Sequence, residues 1–173
     1  MVEVILRAVR VDVGSSTPLL LLEELGGDRV LPIFIGAPEA TAIAYALQGV
    51  ETPRPMSHDL LGHVITALGG RLFAAEITSL VDNTYYANLR ILRDHTEIVV
   101  SSRPSDAVAL ALRVKAPILV SDELMAEQGR VMHLDDVDEG DEDDTSGEES
   151  SEAELVAELR EFLDTIRPED FNQ

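Results

Sequence analysis

The feature that most constrains how this chain can fold is an acidic segment close to its C-terminus. Between residues 135 and 152, 11 of 18 residues are Asp or Glu and none is Lys or Arg. Such a segment has too little apolar surface to offset the entropy lost on ordering it. We therefore predict a disordered linker at 134–151, and we confine the folded domain to residues 1–133, a length that suits a single domain with its own core.

A short amphipathic stretch follows the linker. Its apolar residues recur at helical spacing: Leu155, Leu159, Phe162, Leu163 and Ile166. Ser151 and Glu154 form a capping-box pattern at its start, so we predict an amphipathic helix at 152–167 and a tail at 168–173. A helix of this length is marginal on its own in water. We therefore expect the apolar stripe to dock on its own domain, on a second protomer or on a protein partner.

The net charge of −20 is concentrated in the same region. Residues 134–173 contain 17 Asp or Glu and two Arg, whereas residues 1–133 contain 16 Asp or Glu and 11 Lys or Arg. The folded domain is thus only mildly acidic. Proteins that coat phosphate backbones are normally basic. Any contact with nucleic acid must therefore be local, through a few arginines or a metal ion.

The chain contains no cysteine, which excludes disulfides and thiolate metal sites and favours a reducing compartment. Its first residues lack the apolar run of a signal peptide, and no later stretch is apolar enough to span a membrane. We therefore expect a cytoplasmic protein without membrane contact. Aromatic residues make up 4% of the chain, so we expect a core of Val, Leu, Ile and Ala and little aromatic surface for stacking bases.

The pattern of apolar residues and turn residues predicts an α+β fold. We predict strands at 2–13, 18–25, 29–35, 71–81, 84–92, 97–100 and 118–120, and helices at 37–48, 58–68, 104–115 and 122–128. Ser57 and Ser121 are the predicted caps of the second and fourth helices. Because short turns such as Gly26-Gly27-Asp28 join the strands, we expect a mostly antiparallel or mixed sheet rather than a doubly wound one.

Two segments of the chain resemble each other. Residues 42–47 (AIAYAL) and 107–112 (AVALAL) are identical at four of six positions, with an offset of 65 residues. Two Ala-rich helices can agree by composition alone. Because the order of strand, hairpin and helix is shared as well, we favour a duplicated strand–hairpin–helix unit.

The starts of two predicted helices share an unusual set of residues. Arg54 to Asp59 (RPMSHD) and Arg103 to Asp106 (RPSD) each combine an arginine, a proline, a hydroxyl and an aspartate. Proline, serine and carboxylates are ordinary at helix starts. An arginine beside a positive helix end is unfavourable unless it meets an anion or carboxylates there. Glu39 places a third acid at the start of the first helix.

Four stretches together resemble the bifunctional nuclease domain of bacteria and plants: GAPEATAIAYALQG, RPMSHDLL, TYYANLRI and SRPSDAVALALR. The resemblance covers about residues 1–133. It implies a roll-like α/β fold, a tendency to form homodimers, and nuclease activity on both DNA and RNA. Ser101 stands where many members carry an acid, and Ser57 where many carry Thr.

Residue chemistry then leads to a hypothesis for phosphodiester hydrolysis. Glu39, Asp59 and Asp106 are candidate ligands of one Mg²⁺ or Mn²⁺, since hard cations prefer oxygen. His58 is the candidate general base. Together with Asp59 and Asp106 it makes up the candidate catalytic set. Arg54 and Arg103 are the candidate phosphate-binding residues.

A second interpretation stays open at this point. The mildly acidic domain and the scarcity of aromatic residues also fit a non-catalytic dimeric binding or regulatory module, which docks partners through its C-terminal helix. The two interpretations differ in whether the candidate residues converge on one site.

Overall fold

The order of strands and helices is close to the one that the sequence predicts. A computed structural model describes residues 1–12 and 14–131, and these fall within a unit that spans Met1–Leu134. The described part contains eight strands and four helices: β1 (Val2–Asp12), β2 (Thr17–Glu24), β3 (Arg29–Phe34), α1 (Ala37–Leu47), α2 (Ser57–Ala67), β4 (Gly70–Val81), β5 (Thr84–Arg93), β6 (Thr96–Ser102), α3 (Pro104–Val114), β7 (Ile118–Val120), α4 (Asp122–Gln128) and β8 (Arg130–Val131). The predicted linker, C-terminal helix and tail at 134–151, 152–167 and 168–173 lie outside the described residues.

The strands form one mixed sheet in the order β6-β5-β4-β7-β1-β2-β3-β8. β4 and β7 pair in parallel, and the other six neighbouring pairs are antiparallel. The predicted α+β class is therefore confirmed. The sheet bends strongly enough for the hydroxyl of Tyr85 on β5 to donate to the carbonyl of Pro32 on β3, although four strands separate those two along the sheet.

The two halves of the sheet have the same sequence of elements. β1-β2-β3 is an antiparallel meander followed by α1, and β4-β5-β6 is a second meander followed by α3, with β7 between them. α1 and α3 have equal length and begin 67 residues apart, two more than the offset that their Ala-rich sequences suggest. In this alignment Glu39 and Asp106 occupy the same position, the third residue of their helices.

Helix α3 lies at the centre of the helical layer. It contacts α1, α2, β4 and β5, and residues 107–111 are at most 1% exposed. The three alanines among them are small enough for neighbouring helices to approach closely, while Leu and Ile side chains from β2, β3 and β4 fill much of the rest of the core. The core thus has the aliphatic composition that we predict. Within the part of the chain that the structure describes, no helix is long and apolar enough to cross a membrane.

Two local predictions differ from the structure. Ser57 is the first residue of α2 rather than its cap, because the backbone N–H of Met56 donates to the Asp59 carboxylate at 2.9 Å and closes the helix start in its place. β8, two residues long, is not predicted from the sequence, since so short a strand has no pattern. Ser121 caps α4 as predicted, its hydroxyl accepting from the Leu124 N–H at 3.1 Å.

Candidate active site at three helix N-termini

Helices α1, α2 and α3 each carry an acid at their third position. These acids are Glu39, Asp59 and Asp106. A carboxylate in the first turn of a helix is favoured by the helix dipole and by the free N–H groups there. Glu39 folds back over its own helix start, where any side chain at Gly36 would overlap the carboxylate. Local helix chemistry therefore accounts for the placement of all three acids, but not for their partners.

Arg103 joins two of these helix starts. Its Nη1 donates to Glu39 Oε1 at 2.6 Å, while its Nε and Nη2 donate to the two oxygens of Asp106 at 2.8 and 3.1 Å. This bidentate geometry suits a planar guanidinium. The carboxylates compensate the positive charge beside the N-terminus of α3, and they raise the pKa of Arg103, chiefly through the bond to Asp106.

His58 brings the third helix start into the same group. Its Nε2 lies 3.1 Å from Asp106 Oδ1, and its side chain is 15% exposed. Burial opposes the ionisation of Asp106, but the hydrogen bonds from Arg103 and then His58 outweigh it and lower the pKa of that carboxyl. Asp106 is therefore an anion at neutral pH that holds both a guanidinium and an imidazole. We call Glu39, His58, Arg103 and Asp106 the helix-mouth cluster.

Asp59 pairs with groups outside this cluster. Besides the Met56 N–H, it accepts a hydrogen bond from Arg113 Nε at 2.5 Å. The Arg113 side chain is only 10% exposed, and it also donates to the backbone carbonyls of Ala109 and Ala42. Burial opposes the ionisation of Asp59, but the Met56 amide and Arg113 outweigh it and lower its pKa. This pair ties α1, α2 and α3 together.

Arg54, the second predicted phosphate-binding residue, lies in the loop before α2. It is exposed, and its side chain makes no ion pair with another residue of the described ranges 1–12 and 14–131. Arg103 is mostly exposed as well, at 65%, but it is already paired with two carboxylates. The two arginines thus have different electrostatic surroundings despite their similar sequence motifs.

The predicted three-carboxylate metal site does not fit this arrangement. Glu39 and Asp106 share Arg103, whereas Asp59 is paired with Arg113. Each carboxylate therefore already has a guanidinium partner, although Glu39 and Asp106 share the same one. Among the residues that the structure describes, no group of three His, Asp or Glu side chains is placed to hold a metal ion.

The sequence interpretation missed Arg113. The residue is a basic side chain in the last turn of α3, a position that the helix dipole favours anyway. Its spacing from Asp59 along the chain gave no sign of the contact. The one available signal was the long charged side chain in an otherwise Ala- and Leu-rich helix, which indicates a buried partner when that face is packed.

Comparison with known proteins places the chain in a family. The sequence model of the bifunctional nuclease domain matches residues 20–133, about two thirds of the chain. The chain belongs to the bifunctional nuclease domain family.

Relatives of two kinds are similar to this chain. A protein of Mycobacterium tuberculosis, described as uncharacterized, is 45% identical over 169 residues, covering 98% of this chain and 97% of its own length. Bifunctional nuclease 2 of Oryza sativa subsp. japonica is 30% identical over 120 residues, covering 67% of this chain and 37% of its own length. Bifunctional nuclease 1 of Oryza sativa subsp. indica is 28% identical over 113 residues, or 64% of this chain and 34% of the rice protein.

Proposed function

We propose that this protein hydrolyses phosphodiester bonds of DNA and RNA with little sequence preference. The observation that carries the proposal is the helix-mouth cluster, in which His58 and Arg103 are held by one carboxylate in a chain of this family. A base that accepts a proton from water and a cation for phosphoryl oxygens are the groups that such hydrolysis requires. We also infer a homodimer and a cytoplasmic location, the latter from the absence of cysteine.

His58 is the proposed general base. Its Nε2 faces Asp106, so the Nε2–H tautomer donates to the carboxylate and leaves Nδ1 as the basic nitrogen. Nδ1 takes a proton from water as the water oxygen bonds to phosphorus. The bond from phosphorus to the leaving oxygen breaks, and solvent protonates that oxygen. Asp106 positions the imidazole and stabilises its protonated form.

Arg103 is the proposed contact to the reacting phosphate. Three of its five N–H groups are used by Glu39 and Asp106, and the exposed remainder is free to donate to phosphoryl oxygens. Its two carboxylate partners fix the guanidinium in place, so little side-chain entropy is lost on binding. Assistance by Mg²⁺ or Mn²⁺ stays a prediction, and none of these steps depends on it.

The direct test is cleavage of supercoiled plasmid and of a long RNA by the full chain, with Mg²⁺, with Mn²⁺ and with EDTA. We expect both substrates to be cut, because no group in the helix-mouth cluster distinguishes ribose from deoxyribose. Cleavage that EDTA abolishes would establish the metal requirement. A folded protein that cuts neither substrate under any of these conditions would support the non-catalytic binding module instead.

Arg54 is proposed to bind the nucleic-acid backbone away from the reacting phosphate. We expect Arg54→Ala to weaken binding of single- and double-stranded DNA alike and to reduce the salt slope of log Kd by about 1, because one phosphate contact is lost. Fluorescence anisotropy at several salt concentrations measures both. Arg93→Ala, at the β5–β6 turn, is the matched control and should leave both unchanged. An Arg54→Ala variant that binds like the wild type would remove this role.

A further inference from the structure

Among residues 1–12 and 14–131, which the structure describes, strand β6 is an open edge of the sheet. It is the terminal strand in the sheet order and pairs on one side with β5. Residues 96–101 are all exposed, and Ile98, Val99 and Val100 are 39%, 54% and 42% exposed. β8, at the opposite edge, is only two residues long. A long, regular and apolar edge strand is a template for pairing with another strand.

The outward hydrogen-bonding groups of β6 follow from its turn. Asp94 and His95 both have positive φ and form a two-residue turn that Arg93 and Thr96 close, so these two are a hydrogen-bonded pair. Hydrogen-bonded pairs alternate with non-hydrogen-bonded pairs along an antiparallel ladder. The β5–β6 register has no bulge that would interrupt this alternation. The backbone N–H and C=O groups of Glu97, Val99 and Ser101 therefore point away from β5.

We propose that β6 pairs antiparallel with β6 of a second copy of this chain, about a two-fold axis at Val99. In this register Val99 faces its own counterpart, and Glu97 faces Ser101 of the partner copy. All three outward residues of each copy then exchange both backbone hydrogen bonds, which gives six across the axis. On the other face, Ile98 lies opposite Val100 and adds an apolar cross-strand pair.

Charge favours a second copy over the chain's own C-terminal region. β6 carries one charged residue, Glu97, which shares Arg90 of the same chain with Glu76 and so keeps a net negative surrounding. Because Glu97 faces Ser101 in the two-fold register, no like charges lie directly opposite each other. β6 also lacks the Lys, Pro or bulge that commonly protects an edge. The segment after residue 134 is by contrast strongly acidic and would meet Glu97 with the same charge. An open strand edge also accepts a strand, not the predicted amphipathic helix.

The pairing would place the two candidate active sites at opposite ends of the joined strands. β6 ends at Ser102, directly before Arg103. With the axis at Val99, the Arg103 positions of the two copies are eight residues apart in register, or about 27 Å along the strands. A long nucleic acid could therefore contact both sites. The dimer itself does not depend on the proposed chemistry.

The test is the oligomeric state of the full chain, measured by sedimentation velocity across a concentration series. We expect a reversible dimer. For Val99→Lys the dimer Kd should be at least tenfold higher, because two ammonium groups would meet on the axis. Val99→Pro should act likewise, since it removes an N–H that points away from β5. Val99→Thr keeps the branched shape and should change the dimer Kd by less than about threefold.

Hydrogen exchange identifies the surface. We expect the amides of Glu97, Val99 and Ser101 to gain protection with concentration, while those of Ile98 and Val100, already bonded to β5, do not. A wild-type chain that stays monomeric throughout would overturn the proposal. So would a Val99→Lys variant, folded by circular dichroism, that dimerises as strongly as the wild type.

Discussion

Asp106→Asn is expected to lower kcat/KM for phosphodiester cleavage by at least about 100-fold while leaving the protein folded. Asp106 accepts hydrogen bonds from His58 and from two nitrogens of Arg103. An amide of the same shape has one oxygen and no charge, so it cannot hold both groups in the same way. The proposed base and the proposed phosphate contact would both lose their anchor.

The control for this prediction is Glu123→Gln. Glu123 is an exposed acid in the first turn of α4, so its loss removes a similar helix-dipole interaction without touching the helix-mouth cluster. Cleavage of plasmid and RNA, with circular dichroism as the check on folding, compares the two variants. If Asp106→Asn cleaves as fast as Glu123→Gln, then Asp106 only stabilises the N-terminus of α3 and has no role in cleavage.

Asp59→Ala is expected to lower the free energy of unfolding by about 2–3 kcal/mol. The change leaves the nearly buried guanidinium of Arg113 without its counter-ion and the Met56 N–H without its acceptor. Asp59→Ala combined with Arg113→Met should recover part of the loss, because the unpaired buried charge is then gone. Urea unfolding of both single variants and the double variant measures the coupling.

The dependence of this loss on pH follows from the lowered pKa of Asp59. A carboxyl whose pKa is lower in the folded state stabilises the protein above its ordinary pKa of about 3.9, and the stabilisation disappears as the pH falls through the folded value. The free energy of unfolding should therefore differ between wild type and Asp59→Ala by the full amount at pH 7, and this difference should shrink below about pH 4. A difference that stays constant down to pH 2.5 would show that the charge on Asp59 contributes nothing.

The same variant also decides between two roles for Asp59. The sequence places it in the catalytic set, whereas its contacts in the structure are to Met56 and Arg113. We expect folded Asp59→Ala protein to keep most of its cleavage activity at temperatures well below its unfolding transition. If it loses activity as Asp106→Asn does, the sequence interpretation is the better one.

Most of the fold could be predicted from the sequence because its signals are local. The turn residues Asp82-Asn83 and Asp94-His95 all adopt positive φ, which Asn and Asp tolerate better than most residues. Aliphatic segments between such turns could hardly be anything but strands. The helix starts were equally readable, since proline and acids are enriched there.

The pairing of charges could not be predicted in the same way. Arg103 contacts Glu39 across 64 residues, and Arg113 contacts Asp59 across 54. Which acid meets which arginine depends on how α1, α2 and α3 pack, and the sequence shows only that each helix start carries an acid. The open edge at β6 likewise depends on the order of strands in the sheet, which β7 completes by inserting between the two meanders.

The most direct test of the proposed nuclease site is cleavage of supercoiled plasmid and long RNA by wild type and His58→Ala, purified by the same route. We expect the wild type to cut both substrates and His58→Ala to cut both at least about 100-fold more slowly, because the proton acceptor for water is lost. Equal cleavage by the two proteins would contradict the site, since the activity would then come from other residues or from a contaminant.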